Sequence, residues 1–251
     1  MRNRRFGQPP RQSVMKLKPG AYIGEYASRQ GWPFGTHNII VEGTSDQEYF
    51  HLANELYLKR YKKNLLVQDL TLFAVGDREK GGTKTLRTQF RTVRDILKTD
   101  PLDANGRPIL VLCILDNDPA GRGLFNALRS DGFIPYADMF LLHRIIPCMH
   151  GNPIQLEKYI LGANQKWKAW DCEIEDLLSR DLLECFVENN NGSLKRPPDI
   201  AGDGHRFDFY EHAKPALLHF VKEYASLDEL QNIIALLKSI RFLLRLSKDG
   251  V

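Results

Sequence analysis

The chain lacks the cysteine patterns that build disulfide frameworks and structural zinc sites. Its four cysteines, Cys113, Cys148, Cys172 and Cys185, form no C-x-x-C pair in 251 residues. Histidines are also scattered, and no H-E-x-x-H spacing occurs. This usage is typical of a reducing compartment and argues against structural zinc.

Long apolar runs are missing too. No stretch approaches the roughly 20 apolar residues that a membrane-spanning helix needs. The basic N-terminus is not followed by the apolar segment of a signal peptide. We therefore expect a cytoplasmic protein with no membrane association.

A nucleotide-binding P-loop is the third absence. The nearest string is GDREKGGTK, which starts at Gly76 and has Gly82 where the motif requires lysine. The chain therefore has no ATPase motif of this kind.

The composition is that of an ordinary globular protein, with 43% hydrophobic and 26% charged residues and a formal charge of +4. Positive charge is concentrated in residues 1–24, which contain no acid. The six cations there are Arg2, Arg4, Arg5, Arg11, Lys16 and Lys18. This segment is either a solvated tail or an arm that contacts nucleic-acid phosphate.

Alternating hydrophobic patterns predict an α/β core with a mainly parallel four-stranded sheet. We expect a basic irregular arm at 1–35, the core at 36–165 and a helical extension at 166–251. The predicted strands are 37–41, 70–75, 108–115 and 138–146, with helices at 45–62 and 84–97 and a third that starts at 124. In the extension, helices are predicted at 154–161, 173–187, 209–224 and 226–246, and a polar loop at 188–205.

Two of the predicted strands end in carboxylates. Glu42 follows the first strand, and Asp116 and Asp118 follow the third. Ligands of open α/β sheets bind at the carboxyl ends of the strands, so we expect these acids to meet. Asp46 would lie in the first turn of the next helix and face Glu42. Clustered carboxylates need a cation, and oxygen ligands suit one or two Mg²⁺ or Mn²⁺ ions. The alternative for Asp116 to Asp118 is a plain turn.

The strings VEGTSD at 41–46 and ILDNDPAGRG at 114–123 resemble the Toprim domain. Primases, topoisomerases, small nucleases and the overcoming-lysogenization-defect (OLD) nucleases share this domain. The resemblance covers about residues 36–160 and implies a Rossmann-like core with a magnesium site at the strand-end acids. The spacing of Asp46 from Glu42 favours the OLD-like nuclease branch.

The OLD-like resemblance implies two further site residues. QLEKYI looks like the element that supplies a later acid, which would make Glu157 a fifth metal ligand. Glu173, Glu175 and Asp176 in CEIEDLL compete for that role, unless they only begin a helix. Lys214 matches the basic residue of the helical part, where it would neutralise charge on the scissile phosphate.

The loop after the second strand could bring glycines and positive charge to a phosphate. Lys84 and, elsewhere, Arg122 are the predicted phosphate contacts. The other loop residues of interest are Asp77 as an extra ligand, Arg78, Lys80, Gly81 and Gly82. The alternative is a flexible basic turn.

These observations predict a metal-dependent endonuclease acting on DNA or RNA, with Glu42, Asp116, Asp118 and Lys214 as catalytic residues. Two alternatives stay open: a primase-like phosphoryl transferase, and a non-catalytic or regulatory module that binds nucleic acid or an ATPase. The resemblance also implies a bacterial anti-phage effector, a nearby-encoded ATPase partner and a possible homodimer.

Overall fold

The computed structural model describes residues 18–67, 70–75, 82–146 and 152–251. Several predictions concern residues outside these ranges. They are the contacts of the basic segment before residue 18 and the roles of Asp77, Arg78, Lys80 and Gly81.

A four-stranded parallel sheet forms the centre of the protein, as the sequence predicts. Its strands are β1 (His37–Val41), β2 (Leu70–Ala74), β3 (Leu110–Leu115) and β4 (Met139–Leu141), in the order β2-β1-β3-β4. The prediction of an α/β fold with a parallel sheet is confirmed. β4 is much shorter than predicted, because its partner β3 ends at Leu115 and offers no further backbone to pair with.

Helices cover the sheet. They are α1 (Ala21–Gln30), α2 (Thr44–Tyr61), α3 (Thr83–Thr99) and α4 (Pro119–Ser130). α3 packs against both α1 and α4, whereas α2 packs against helices from the C-terminal part of the chain. The chain crosses the sheet in one direction through α2 and in the other direction through α3 and α4. Because such crossovers are right-handed, α2 lies on one face of the sheet and α3 and α4 lie on the other.

α1 lies within the segment for which the sequence predicts an irregular arm, so that prediction is wrong for residues 21–30. Ile23 and Ala27, one helical turn apart, are buried. Ile23 belongs to a small apolar cluster with Val93 and Ile109. Gly31 ends the helix in a left-handed conformation, φ 71°. The helix is difficult to predict from the sequence because it is short and has glycine and proline on both sides.

The C-terminal part contains four helices, α5 (Pro153–Ala163), α6 (Arg180–Asn189), α7 (Lys214–Tyr224) and α8 (Gln231–Leu243). The helix predicted at 173–187 is wrong in its first half. A short 3₁₀ turn covers Ile174–Leu177, and Leu178 is extended before α6 begins.

The polar loop predicted at 188–205 contains a small antiparallel hairpin. Its strands are β5 (Asp199–Ala201) and β6 (Gly204–Arg206). Gly204 is required because a Cβ there would lie 2.3 Å from the indole of Trp167.

One hydrophobic core joins the sheet to the C-terminal helices. Phe50 of α2, Leu112 of β3, Leu217 of α7 and Leu237 of α8 are all completely buried in it. In the described ranges, no helix has the length and apolar character required to cross a membrane.

Candidate metal centre

The acids at the strand ends lie at one edge of the sheet. β1 and β3 are hydrogen-bonded neighbours, so Glu42 and Asp116 leave the sheet side by side. Asp46 lies in the first turn of α2, whose N-cap is Gly43. The Asp46 carboxylate accepts a 2.9 Å hydrogen bond from the Gly43 amide, which orients it within this turn.

A small cavity lies between these acids. Its volume is about 10 Å³, close to the smallest space that holds one water-sized particle. It is lined by the carboxyl residues Glu42, Asp46 and Asp116 and by the apolar residues Val41, Phe50, Ile114, Leu142 and Ile174. The acids therefore share a small enclosed space.

Asp118 is the N-cap of α4, which begins at Pro119, five residues before the predicted start. Its side chain accepts a 2.6 Å hydrogen bond from the Gly121 amide, and Pro119 follows at the first helical position. Its charge also acts on Glu42. Asp118 thus has a structural role as a helix cap beside the acid cluster.

A third segment reaches the same edge through its backbone. The Asn117 amide donates to the Cys172 carbonyl at 2.8 Å, and the Cys172 amide donates back to the Asn117 carbonyl at 3.1 Å. This bridge carries Glu173 and Glu175 to the acids. Glu175 is only 5% exposed. The acid-rich string that the sequence treats as an alternative therefore belongs to the cluster.

Mutual repulsion in this cluster appears in the pKa values. Burial, followed by the charges of Asp46 and Glu175, raises the pKa of Asp116 well above its usual value. Burial raises the pKa of Glu175 to about 8 and that of Asp46 to about 6. Burial, with Asp46 and Asp118, also raises the pKa of Glu42. The ionised cluster is unfavourable without a compensating positive charge.

Lys214, at the start of α7, supplies one such charge. Its Nζ lies 3.0 Å from Glu173 Oε2 and 3.4 Å from Glu211 Oε1. Burial alone would lower the pKa of Lys214, but Glu175 and Glu173 outweigh it and the net pKa is raised. The structure therefore places this lysine among the acids.

Glu157 has a different environment. It lies on α5, where its Oε1 is 3.9 Å from Arg129 Nη1 in the last turn of α4. Together with burial, its charge raises the pKa of Tyr136. The acids that act on Asp116 are Asp46, Glu175, Glu173 and Glu42. The role of Glu157 as a ligand stays a prediction, and the geometry favours Glu173 and Glu175.

The two predicted phosphate contacts differ in their surroundings. Arg122 Nη1 donates to the Asn117 carbonyl at 2.7 Å, and Nη2 lies 2.8 Å from Asp171 Oδ1. Asp171 also pairs with Arg206 at 2.6 Å. Arg122 therefore braces the loop that carries Asp116. Lys84 is exposed in the first turn of α3.

Tyr49 is a neighbour that the sequence analysis did not identify. Its hydroxyl is buried and has no hydrogen-bond partner among the residues that the structure describes. Burial raises its pKa, and Glu175 and Asp46 raise it further. The available signal was its position three residues after Asp46, on the same face of α2.

The donor set fits a hard divalent cation, because it consists of carboxylates with no thiolate or imidazole cluster. Within the described ranges, no three histidine, cysteine, aspartate or glutamate side chains already form the arrangement of a metal site, so the binding of an ion requires the carboxylates around the cavity to turn toward a common point. No known protein family, curated protein or solved structure matches the chain.

Proposed function

We propose that this protein is a nuclease that uses Mg²⁺ or Mn²⁺ to hydrolyse phosphodiester bonds. The observation that supports the proposal most is that Glu42, Asp46 and Asp116 share a small cavity. Burial, followed by the charges of Asp46 and Glu175, raises the pKa of Asp116 there. A cluster of this kind is costly for the fold and becomes favourable when a cation binds.

Glu42, Asp46 and Asp116 would hold the ion, together with Glu173 or Glu175. A bound divalent ion would lower the pKa of a water molecule and polarise a phosphate oxygen. Lys214 would neutralise negative charge that develops on the phosphate. Asp118 and Arg122 act on the backbone of the Asp116 loop, where they fix the position of its carboxylate.

The first test measures metal binding and cleavage together. Mn²⁺ binding is titrated by electron paramagnetic resonance, and supercoiled DNA and a structured RNA serve as substrates. Asp116→Asn preserves the shape of the side chain and removes its charge. We expect it to lower cleavage at least about 100-fold, as loss of an inner ligand should exceed the effect of outer-shell changes. Parent-level cleavage by this variant would refute the proposal.

A matched pair of substitutions separates the two candidate ligand sets. Glu175→Gln and Glu157→Gln each replace a carboxylate by a neutral amide of the same shape. We expect Glu175→Gln to weaken Mn²⁺ binding by about tenfold or more, and Glu157→Gln to leave it unchanged. The reverse result would restore Glu157 as the ligand.

A non-catalytic nucleic-acid-binding or ATPase-binding module is the second candidate. The ion pair between Lys214 and Glu173 favours it, since this lysine already neutralises part of the cluster. Nucleic-acid affinity without saturable Mn²⁺ binding would support this candidate over the nuclease. The anti-phage role and the ATPase partner remain proposals from the resemblance, and co-purification with a neighbouring gene product would test them.

A further inference from the structure

α3 carries its cations on a single face, which we name the basic face of α3. Lys84, Arg87, Arg91, Arg94 and Lys98 recur at intervals of three and four residues, so they lie along one side of the helix. At about 1.5 Å per residue the row is about 21 Å long. The adjacent side of the helix is buried through Leu86, Phe90 and Val93.

The turn after α4 contacts the three arginines among these five cations. Asp131 Oδ2 lies 2.9 Å from Arg87 Nη2 and 3.8 Å from Arg91 Nε. The Asp131 carbonyl accepts a 2.9 Å hydrogen bond from Arg94, whose guanidinium lies 4.2 Å from the centre of the Phe133 ring. The guanidinium groups are therefore positioned before any ligand arrives.

A groove of about 100 Å³ opens between these cations. It is lined by Arg91, Arg94, Asp95, Lys98, Asp131 and Phe133. The basic face has five cations, and in the described part of the chain two carboxylates contact it, Asp95 and Asp131, so an excess of positive charge remains. Arg91 and Lys98 remain 53% and 60% exposed at the side chain. The groove therefore suits an anion.

The direction of α3 links this face to the acid cluster. α3 follows β2 and leads into β3, which is parallel to β2 within the sheet. The helix therefore returns against the strand direction, and its first turn, with Lys84, lies toward the edge that carries Glu42 and Asp116.

We propose that the basic face of α3 binds the phosphate backbone of double-helical nucleic acid and directs it to the acid cluster. Phosphates of one strand recur about every 3.4 Å along a duplex, so about 21 Å matches about six of them. Phe90 of α3 and Phe133 of the groove are both buried, and Arg94 covers the Phe133 ring, so these aromatic rings offer no platform for stacking unpaired bases. The proposal rests on the proposed function for its substrate class.

Binding is measured by fluorescence anisotropy with a 20-base-pair DNA duplex, an RNA duplex and a 20-nucleotide single strand. EDTA is present, so that hydrolysis does not contribute. Arg91→Gln/Lys98→Gln tests the basic face. Lys59→Gln/Lys63→Gln removes the same charge from exposed positions around the C-terminal end of α2 and serves as the control.

We expect the parent to prefer a duplex over the single strand. The Arg91/Lys98 variant should bind duplex about tenfold more weakly near 100 mM salt, and its plot of log affinity against log salt should lose about 1.8 in slope, because two phosphate contacts are gone. The control should keep the parental slope. The DNA and RNA arms show which duplex is bound.

Equal losses in both variants, tighter binding to the single strand, or binding only to phosphatidylserine vesicles would overturn the inference. Parental cleavage efficiency in the Arg91/Lys98 variant would also overturn it and leave the proposed nuclease intact. Conversely, the expected slope change in a protein that never cleaves would support this surface and refute the nuclease.

Discussion

Gly121 is the residue on which the geometry of the Asp116 loop most directly depends. A Cβ at this position would lie 1.9 Å from the Asp116 carbonyl oxygen and 3.1 Å from Asp118 Oδ1. The N-terminus of α4 therefore packs against the loop at a distance that only glycine allows.

We expect Gly121→Ala to lower the free energy of unfolding by about 1–3 kcal/mol, because the loop must shift to relieve the overlap. It should also weaken Mn²⁺ binding. Gly123→Ala is the matched control, since Gly123 lies on the same helix and its added Cβ would meet no described residue beyond its own helix backbone within 4 Å. Alanine there should raise the free energy of unfolding by up to about 1 kcal/mol. Urea denaturation measures both, and equal effects would contradict this account.

Asp103 organises the loop before β3. Its carboxylate accepts hydrogen bonds from the amides of Asn105 and Arg107 and from the Thr36 hydroxyl, at 2.8–2.9 Å. The Arg107 amide is the largest influence that lowers the pKa of Asp103, and the other bonds add to it. A lowered pKa contributes stability above the unfolded value of about 3.9, and this stability is lost as the pH falls.

Asp103→Asn should therefore lower the melting temperature at pH 7, and the difference from the parent should shrink below about pH 4. Asp203→Asn, at the exposed turn between β5 and β6, serves as the control. Melting curves recorded between pH 2 and 7 measure the effect. A difference that stays constant over this range would contradict the assigned role of the carboxylate.

At the residue scale, the sequence predicts only part of the site. Glu42, Asp46 and Asp116 could be predicted because strand ends and helix spacing determine where they lie. Glu175 could be identified only as a competing candidate. The position of Glu175 depends on the backbone bridge between Asn117 and Cys172. The side chains of these two residues give no indication that their backbones pair.

At the scale of elements, α8 is held by an unusual buried arginine. Arg241 is 1% exposed and donates at 2.6 Å to the carbonyls of Leu65 and Ser247. It therefore connects α8 to the loop after α2. The sequence predicts a helix here, but at 226–246 rather than the observed Gln231–Leu243. It gives no indication of these bonds, because Arg241 resembles any surface cation in an amphipathic helix.

We expect Arg241→Leu to lower the free energy of unfolding by about 2 kcal/mol or more, because both carbonyls lose their hydrogen bond to the guanidinium group. Arg241→Lys should recover part of this loss, since one ammonium group replaces the guanidinium fork that reaches both carbonyls. Guanidinium denaturation of the three proteins tests the order. Parental stability in the leucine variant would show that the hydrogen bonds contribute nothing net.

The long strands and helices could be predicted from hydrophobic periodicity, and the errors lie where tertiary contacts decide the backbone. β4 stops where β3 ends. Acids at 173–176 look like a helix start, but the backbone bridge to Asn117 holds Glu173 extended before the 3₁₀ turn.

At the scale of the whole molecule, the sheet and the C-terminal helices share one core. The sequence predicts a boundary near residue 165, yet Phe50 and Leu237 are buried in the same cluster. Backbone bonds of 2.7 and 3.1 Å also join Asn64 to Val251. Composition and periodicity predict the two regions but carry no information about how extensively the two regions pack against each other.

We therefore expect one cooperative unfolding transition, with equal calorimetric and van't Hoff enthalpies. A fragment that ends at residue 165 should not fold, because removal of α7 and α8 exposes the apolar surface that these helices bury against α2. Differential scanning calorimetry and circular dichroism test both statements. Two separate transitions, or a folded fragment, would support independent domains.

The bridge between Asn117 and Cys172 has a consequence for protein synthesis. Glu42 and Asp116 leave the ribosome long before Glu175 and Lys214, and the bridge that brings the later acids to the site cannot form until residue 172 has emerged. If the protein cleaves nucleic acid as proposed, a nascent or prematurely terminated chain has an incomplete centre. An unfinished chain would then be unable to cleave the messenger RNA or the genome.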